Sequence, residues 1–145
     1  MHVIMNCFLF CERCRKESTK LRHDQLYSRA ERVILRQCQQ TIFPDEFNKL
    51  TQNQLIAANS KILPLNPYHD LDDDLLRARG RLANADIPDE IRNHIILPAN
   101  NRVTRLMITD TQRRKGHIGL KHMVLKLREK FWIVRCVTEV RQILR

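Results

Sequence analysis

The chain has 145 residues, 43% hydrophobic and 29% charged: enough apolar material for one compact domain with a helical arm, and too short for two full-sized domains. Its 3 Gly and 6% aromatic residues leave little material for Gly-rich phosphate loops or rows of stacking platforms, which counts against nucleotide-loop enzymes. The formal charge is +10, and residues 102–145 hold 12 of the 26 Lys and Arg against 3 of the 16 Asp and Glu, so nine of the ten net charges fall there.

A positive field concentrated in this way favours a polyanion, DNA or RNA first, because every neutralised phosphate releases condensed counterions. A solvated basic helical face is the competing reading. The five cysteines, Cys7, Cys11, Cys14, Cys38 and Cys136, are odd in number and scattered. That pattern suits a reducing, intracellular compartment, nuclear or cytoplasmic, rather than a disulfide framework. The apolar run Val3 to Phe10 is too short to span a bilayer, is broken by Asn6 and has no basic residue before it. Neither an anchor, a signal peptide nor a membrane partner is expected.

Residues 1–60 read as a helical connector. A helix is expected from Met1 to about Arg22, with Ile4, Phe8 and Cys11 along one face. Ser28 and Glu31 have capping-box spacing and suggest a second helix start, continued by Val33, Ile34 and Cys38. Pro44 suits a first helical turn, and Asp45, Glu46, Phe47 and Leu50 extend a short helix before the linker-like stretch Thr51–Ser60.

Residues 61–100 read as a small antiparallel sheet. The two prolines of Ile62-Leu63-Pro64-Leu65-Asn66-Pro67 suit an extended edge strand. The acidic turn Asp70–Asp74 leads to the partly alternating Leu75–Leu82, ended near Gly80, which together predict a hairpin. His94–Leu97, stopped by Pro98, is a third strand.

Residues 101–145 read as three short amphipathic helices sharing a core. Asn100 or Asn101 is the expected N-cap, followed by the stripe Val103, Leu106, Met107 and Ile108. Gly116 and Gly119 bracket a corner. Leu120, Met123, Val124, Leu127 and Phe131 form a second stripe, and Val137, Val140, Ile143 and Leu144 a third. Phe131 and Trp132 are read as core anchors. The fold class is therefore α+β and mainly helical.

The chemistry-bearing motifs are few. Cys7-x3-Cys11-x2-Cys14 has cluster-like spacing, but no second Cys-x2-Cys follows, and Cys11 and Cys14 fall within the predicted helix. A metal held by Cys11, Cys14, His23 and Cys38 is a remote third reading. Asp70-x-Asp72-x-Asp74 echoes a calcium loop, yet Leu75 stands where Gly is needed and Arg81 where the bidentate Glu belongs. No nucleophile and base are paired, and after Glu90 the three acidic residues are isolated among cations, too few for two-metal phosphoryl transfer. An enzyme is not expected.

Several ordered motifs taken together resemble the Pol region of Bel/Pao-type LTR retrotransposons. They are Leu63-Pro64-Leu65-Asn66-Pro67-Tyr68, Leu76-Arg77-Ala78-Arg79-Gly80-Arg81-Leu82, His94-Ile95-Ile96-Leu97-Pro98-Ala99-Asn100, Asp110 through Gly119, and Arg128 through Arg135. Ala30-Glu31-Arg32 and Phe43-Pro44-Asp45-Glu46-Phe47 resemble the connector ahead of the integrase, so the likeness spans about residue 28 to the end.

The resemblance implies that residues 101–145 correspond to an integrase zinc-binding domain, which helps hold DNA ends and multimerise the enzyme while a separate core performs catalysis. In that family a His-x4-His pair and a later Cys-x2-Cys close a tetrahedral zinc site. His117 falls on the second His position, Gln112 replaces the first, and the Cys pair would fall just past Arg145. Only His117 remains of the metal set, so the resemblance implies a non-functional site and no cofactor. Cys136 lies about ten residues too early. The expected activity is weak, unspecific nucleic-acid binding through Arg102, Arg105, Arg113, Arg114, Lys115, Lys121, Lys126 and Lys130, with an oligomerising or inert structural fragment as the alternative.

Overall fold

The computed structural model describes residues 23–79, 93–115 and 118–144. The expected helix over Met1–Arg22, the segment Gly80–Arg92 and the pair Gly116–His117 lie outside the described residues.

His23–Ile42 forms α1, a stretch without Gly or Pro. It stops because Pro44 disfavours helical geometry in the residue before it, and Phe43 takes φ −124°, ψ 52°. Pro44 then opens the short helix α2, Pro44–Thr51, whose first-turn Asp45 and Glu46 and last-turn Lys49 match the helix dipole. Ser28 is already inside α1, so Ser28 and Glu31 do not form a capping box; Glu31 is used instead to pair with Lys130. The buried face of α1 carries Ala30, Leu35, Cys38 and Gln39, while Val33 is exposed.

The segment expected as an edge strand is instead a 3-10 turn, Leu63–Leu65, closed by Asn66 in the left-handed region, and only from Pro67 does the chain extend. Proline tolerates both roles: it fixes φ for the turn at Pro64, and at Pro67 it occupies the first position of a strand at the sheet edge. Strand β1, Pro67–Asp70, pairs antiparallel with β2, Leu75–Arg79, and β2 with β3, Asn93–Leu97. The hairpin and the third strand are as expected. Asp74 takes φ 57° in the four-residue turn, and Asp70 Oδ1 accepts from Asp72 N–H.

The carboxylates of this turn are engaged by neighbouring side chains. Asp74 meets Arg36 and His69, each at 2.6 Å, and Asp70 meets Arg77 at 2.8 Å, while Asp73 also pairs with Arg77. Arg77 donates onward to the Asn93 carbonyl at 2.7 Å, tying the hairpin to β3.

The sheet differs from the expected antiparallel arrangement in one strand. Phe131–Ile133 forms β4, which pairs parallel with β3 and makes the strand order β1-β2-β3-β4. A parallel partner requires a long crossover, and here it is supplied by two helices, α3 (Arg102–Lys115) and α4 (Leu120–Arg128). Asn101 caps α3, its Oδ1 accepting from Val103 N–H at 2.8 Å. Helix α5, Cys136–Ile143, follows β4 and packs against α3 and α4. The fold is thus α+β and mainly helical.

Side-chain alternation divides the interior. Leu75, Ile95, Leu97, Phe131 and Ile133 face one core with Leu35, Met107, Ile108, Met123, Leu127 and Val140. Leu76, Ala78 and Ile96 face a smaller one with Phe43, Phe47 and Ile62. The first core draws on residues from 23–60, 61–100 and 101–145 alike. At about 25 cal/mol per Å² of apolar area removed from water, such burial is the main stabilising term.

Three expected core residues are not core. Leu106 and Val137 are exposed, since Met107 and Ile108 orient α3 and Val140 orients α5. Trp132 is 39% exposed because Phe131 starts a strand rather than ending a helix, and strand alternation turns Trp132 away from its two buried neighbours.

Candidate nucleic-acid interface

All eight basic residues expected at the interface are exposed, but they do not form one patch. Advancing 100° per residue along α3 puts Arg102, Arg105 and Arg113 on one solvent-facing stripe, opposite the buried Thr104, Met107 and Ile108. Arg102 and Arg113 are about 16 Å apart along the axis at 1.5 Å per residue. Leu106, 49% exposed, lies between them. Arg105 donates to Asn100 Oδ1 at 3.0 Å, a neutral partner that leaves its charge uncompensated.

Arg114 and Lys115 project from the other side of α3. Arg114 pairs with Asp110 at 2.7 Å, lies over the Tyr27 ring with its guanidinium 4.8 Å from the centroid, and also donates to the Tyr27 hydroxyl. Lys126 is paired with Glu129 at 2.6 Å and Lys130 with Glu31 at 2.5 Å. Among the described residues, Arg102, Arg105, Arg113, Lys115 and Lys121 face no carboxylate. Arg114–Asp110 and Lys126–Glu129 are pairs at i,i+4 and i,i+3, a spacing legible in the sequence, whereas Lys130–Glu31 and the Tyr27 contact join residues distant in sequence.

The metal positions are only partly described. His117 lies outside the described residues, as do Cys11 and Cys14. Gln112 is half-buried in the last turn of α3. Cys136 packs in the first core, where burial raises its thiol pKa, with Glu139 adding to the rise and Arg128 opposing it. Cys38 donates to Asn101 Oδ1 at 3.4 Å, and burial pushes its thiol up to about 11, the opposite of the thiolate character a metal ligand needs. Among the described residues, no three His, Cys, Asp or Glu side chains converge on a metal position.

One basic group was missed at the sequence level. Arg128 and Arg135, both exposed, flank a cleft of 310 Å³ with Trp132 and Cys136 in its wall. The parallel register sets Trp132 beside Ile96, on the same sheet face as His94. The His94 and Trp132 rings meet edge to face at 6.1 Å. Burial lowers the His94 pKa, so the ring is neutral at physiological pH, and its Nδ1 has no partner among the described residues. A larger cleft, 660 Å³, lies between α1 and the Glu129–Lys130 corner, but it is lined by Glu31, Asp73 and Glu129 as well as by Arg32, Arg77 and Lys130. Its mixed charge does not suit a polyanion.

The chain matches no family model, no curated protein and no solved structure. No helix among the described residues is long and apolar enough to cross a membrane.

Proposed function

We propose that the chain is a binding module without chemistry of its own, holding nucleic acid by its phosphates. The observation that carries this reading is the stripe of Arg102, Arg105 and Arg113 along α3, exposed and, among the described residues, without an opposing carboxylate. Lys115 and Lys121 add charge on the same helical unit. Contacts of this kind read charge rather than sequence, since none is set to reach base edges with fixed geometry. Within that class, the ordered motifs point to the particular protein: a piece of the integrase region of a Bel/Pao-type LTR retrotransposon polyprotein. That proposal rests on the sequence resemblance.

The test is a titration of the chain onto duplex DNA at increasing salt. Affinity that falls steeply with salt supports the reading, because log K drops by about 0.9 per neutralised phosphate for each tenfold rise in salt. No affinity at low salt, or affinity that salt leaves unchanged, overturns it. The second reading, an oligomerising structural fragment, draws on the exposed Leu106 and Leu125. Sedimentation at several concentrations separates the two, a strict monomer excluding self-assembly.

A further inference from the structure

We infer that the cleft beside Trp132 seats an unpaired nucleobase, which stacks on the indole while Arg128 and Arg135 hold the adjoining phosphates. The inference rests on the nucleic-acid reading and names the form of nucleic acid preferred: single strands rather than duplex. Trp132 is the chain's single tryptophan, and it stands 39% exposed on an edge strand. Alternation along β4 buries Phe131 and Ile133 and turns this large aromatic surface outward, where it is open to a ligand.

The surroundings fit a base and its phosphate. The Arg128 guanidinium is 6.0 Å from the indole centroid, at the outer limit of a cation–π contact. His94 meets the ring by an edge rather than by lying parallel to it. The cleft of 310 Å³ is at the small end of ligand-pocket sizes, roughly 300 to 1,000 Å³, and suits one planar group. Among the described residues no acidic one lines it, in contrast to the larger mixed-charge cleft. Arg135 takes φ 56°, the one positive φ among the described residues outside Asn and Asp, and it does so at the rim of this cleft. A conformation of that kind is disfavoured for a long side chain and concentrates at sites where a side chain must be aimed. Bases in a duplex have their faces already stacked; only an unpaired base can offer one to Trp132.

Because Trp132 is the only indole, its fluorescence reports on the site directly. The intact chain is titrated with a short oligothymidylate and, separately, with a duplex of the same strand length, following both emission and affinity. The expected result is quenching by the single strand and little change with the duplex. Trp132→Leu should weaken single-strand affinity roughly five- to hundredfold, as loss of one stacked base does, and leave duplex affinity within about twofold. Trp132→Phe, which keeps a ring and guards against a folding defect, should retain most of the affinity. Single-strand binding that leaves the emission unchanged overturns the stacking site, as does equal loss of both ligands in Trp132→Leu when Trp132→Phe binds normally. Salt-sensitive duplex binding without a single-strand preference also sinks it while the α3 interface stands. If neither nucleic acid binds at low salt, both readings fail.

Discussion

The side-chain amide of Gln39 closes around the backbone of Leu76: Oε1 accepts from the Leu76 N–H at 2.7 Å, and Nε2 donates to the Leu76 carbonyl at 2.8 Å. The same Nε2 donates to the Ile96 carbonyl at 2.9 Å. Pairing between β2 and β3 runs from Arg79↔Asn93 to Arg77↔Ile95, and at the next position the fully buried Gln39 takes the place of direct strand pairing. A single polar side chain of α1 thereby joins two strands that supply both cores.

Replacing Gln39 by Met should therefore be among the costliest substitutions of similar size. It strands one N–H and two carbonyls in the interior, each costing about 1–3 kcal/mol when buried unpaired. Urea unfolding should show a loss of about 3 kcal/mol or more through a lower midpoint. A change below about 1 kcal/mol would show that β2 and β3 repair their pairing without it.

The two groups of cations on the helical unit should behave differently in salt titrations. Substituting Arg102, Arg105 and Arg113 together by Gln should reduce the slope of log K against log salt by about 2 to 3, near 0.9 for each phosphate no longer neutralised. Substituting Arg114, Lys126 and Lys130 should change it by less than about 1, since these three already face carboxylates. Equal effects from both triples would show that net charge alone governs binding.

Helix α1 meets the helical unit through Leu35 in the first core and through Glu31 and Tyr27 at its rim, and packing should contribute more than charge. A double-mutant cycle on Glu31 and Lys130, a pair at 2.5 Å whose lysine end is exposed, should give a coupling below about 1 kcal/mol. Leu35→Ala, which empties a fully buried position of the first core, should cost about 2–5 kcal/mol. A coupling larger than the Leu35 effect would reverse that order.

Stability should fall on both sides of neutrality for separate reasons. Cys38 is raised from its ordinary 9.0 to about 11, so the folded state favours the thiol; its contribution is complete below pH 9 and is lost as pH rises toward 11. His94 is lowered from 6.5 by burial, so the folded state favours the neutral ring, and its contribution is lost as pH drops below 6.5. Thermal unfolding across pH should show the alkaline fall reduced in Cys38→Ala and the acid fall reduced in His94→Phe. An unaltered alkaline limb in Cys38→Ala would assign that limb to other groups.

Local chemistry made much of the fold legible. Pro44 marks the start of α2, the acidic run Asp70–Asp74 marks the hairpin turn, and Asn101 caps α3, because each acts within a few residues. The stripe Leu120, Met123, Val124 and Leu127 is visible for the same reason, helical period being a property of neighbouring residues. The basic third was legible as charge and only in part as geometry: the i,i+4 spacing of Asp110 and Arg114 is local, but Tyr27 beneath Arg114 and Glu31 on Lys130 come from a distant segment.

Sequence by itself therefore determined the mainly helical α+β class, the hairpin and the place of the excess charge, all of which follow from composition and short-range spacing. Tertiary structure decided the rest. Pairing with β3 made Phe131–Ile133 a parallel strand and left Trp132 at the surface, and the approach of α1 brought Glu31 onto Lys130. Gln39 could be recognised as a core residue only once α1 lay against β2 and β3, because a buried amide is tolerated solely where backbone groups distant in sequence complete its hydrogen bonds.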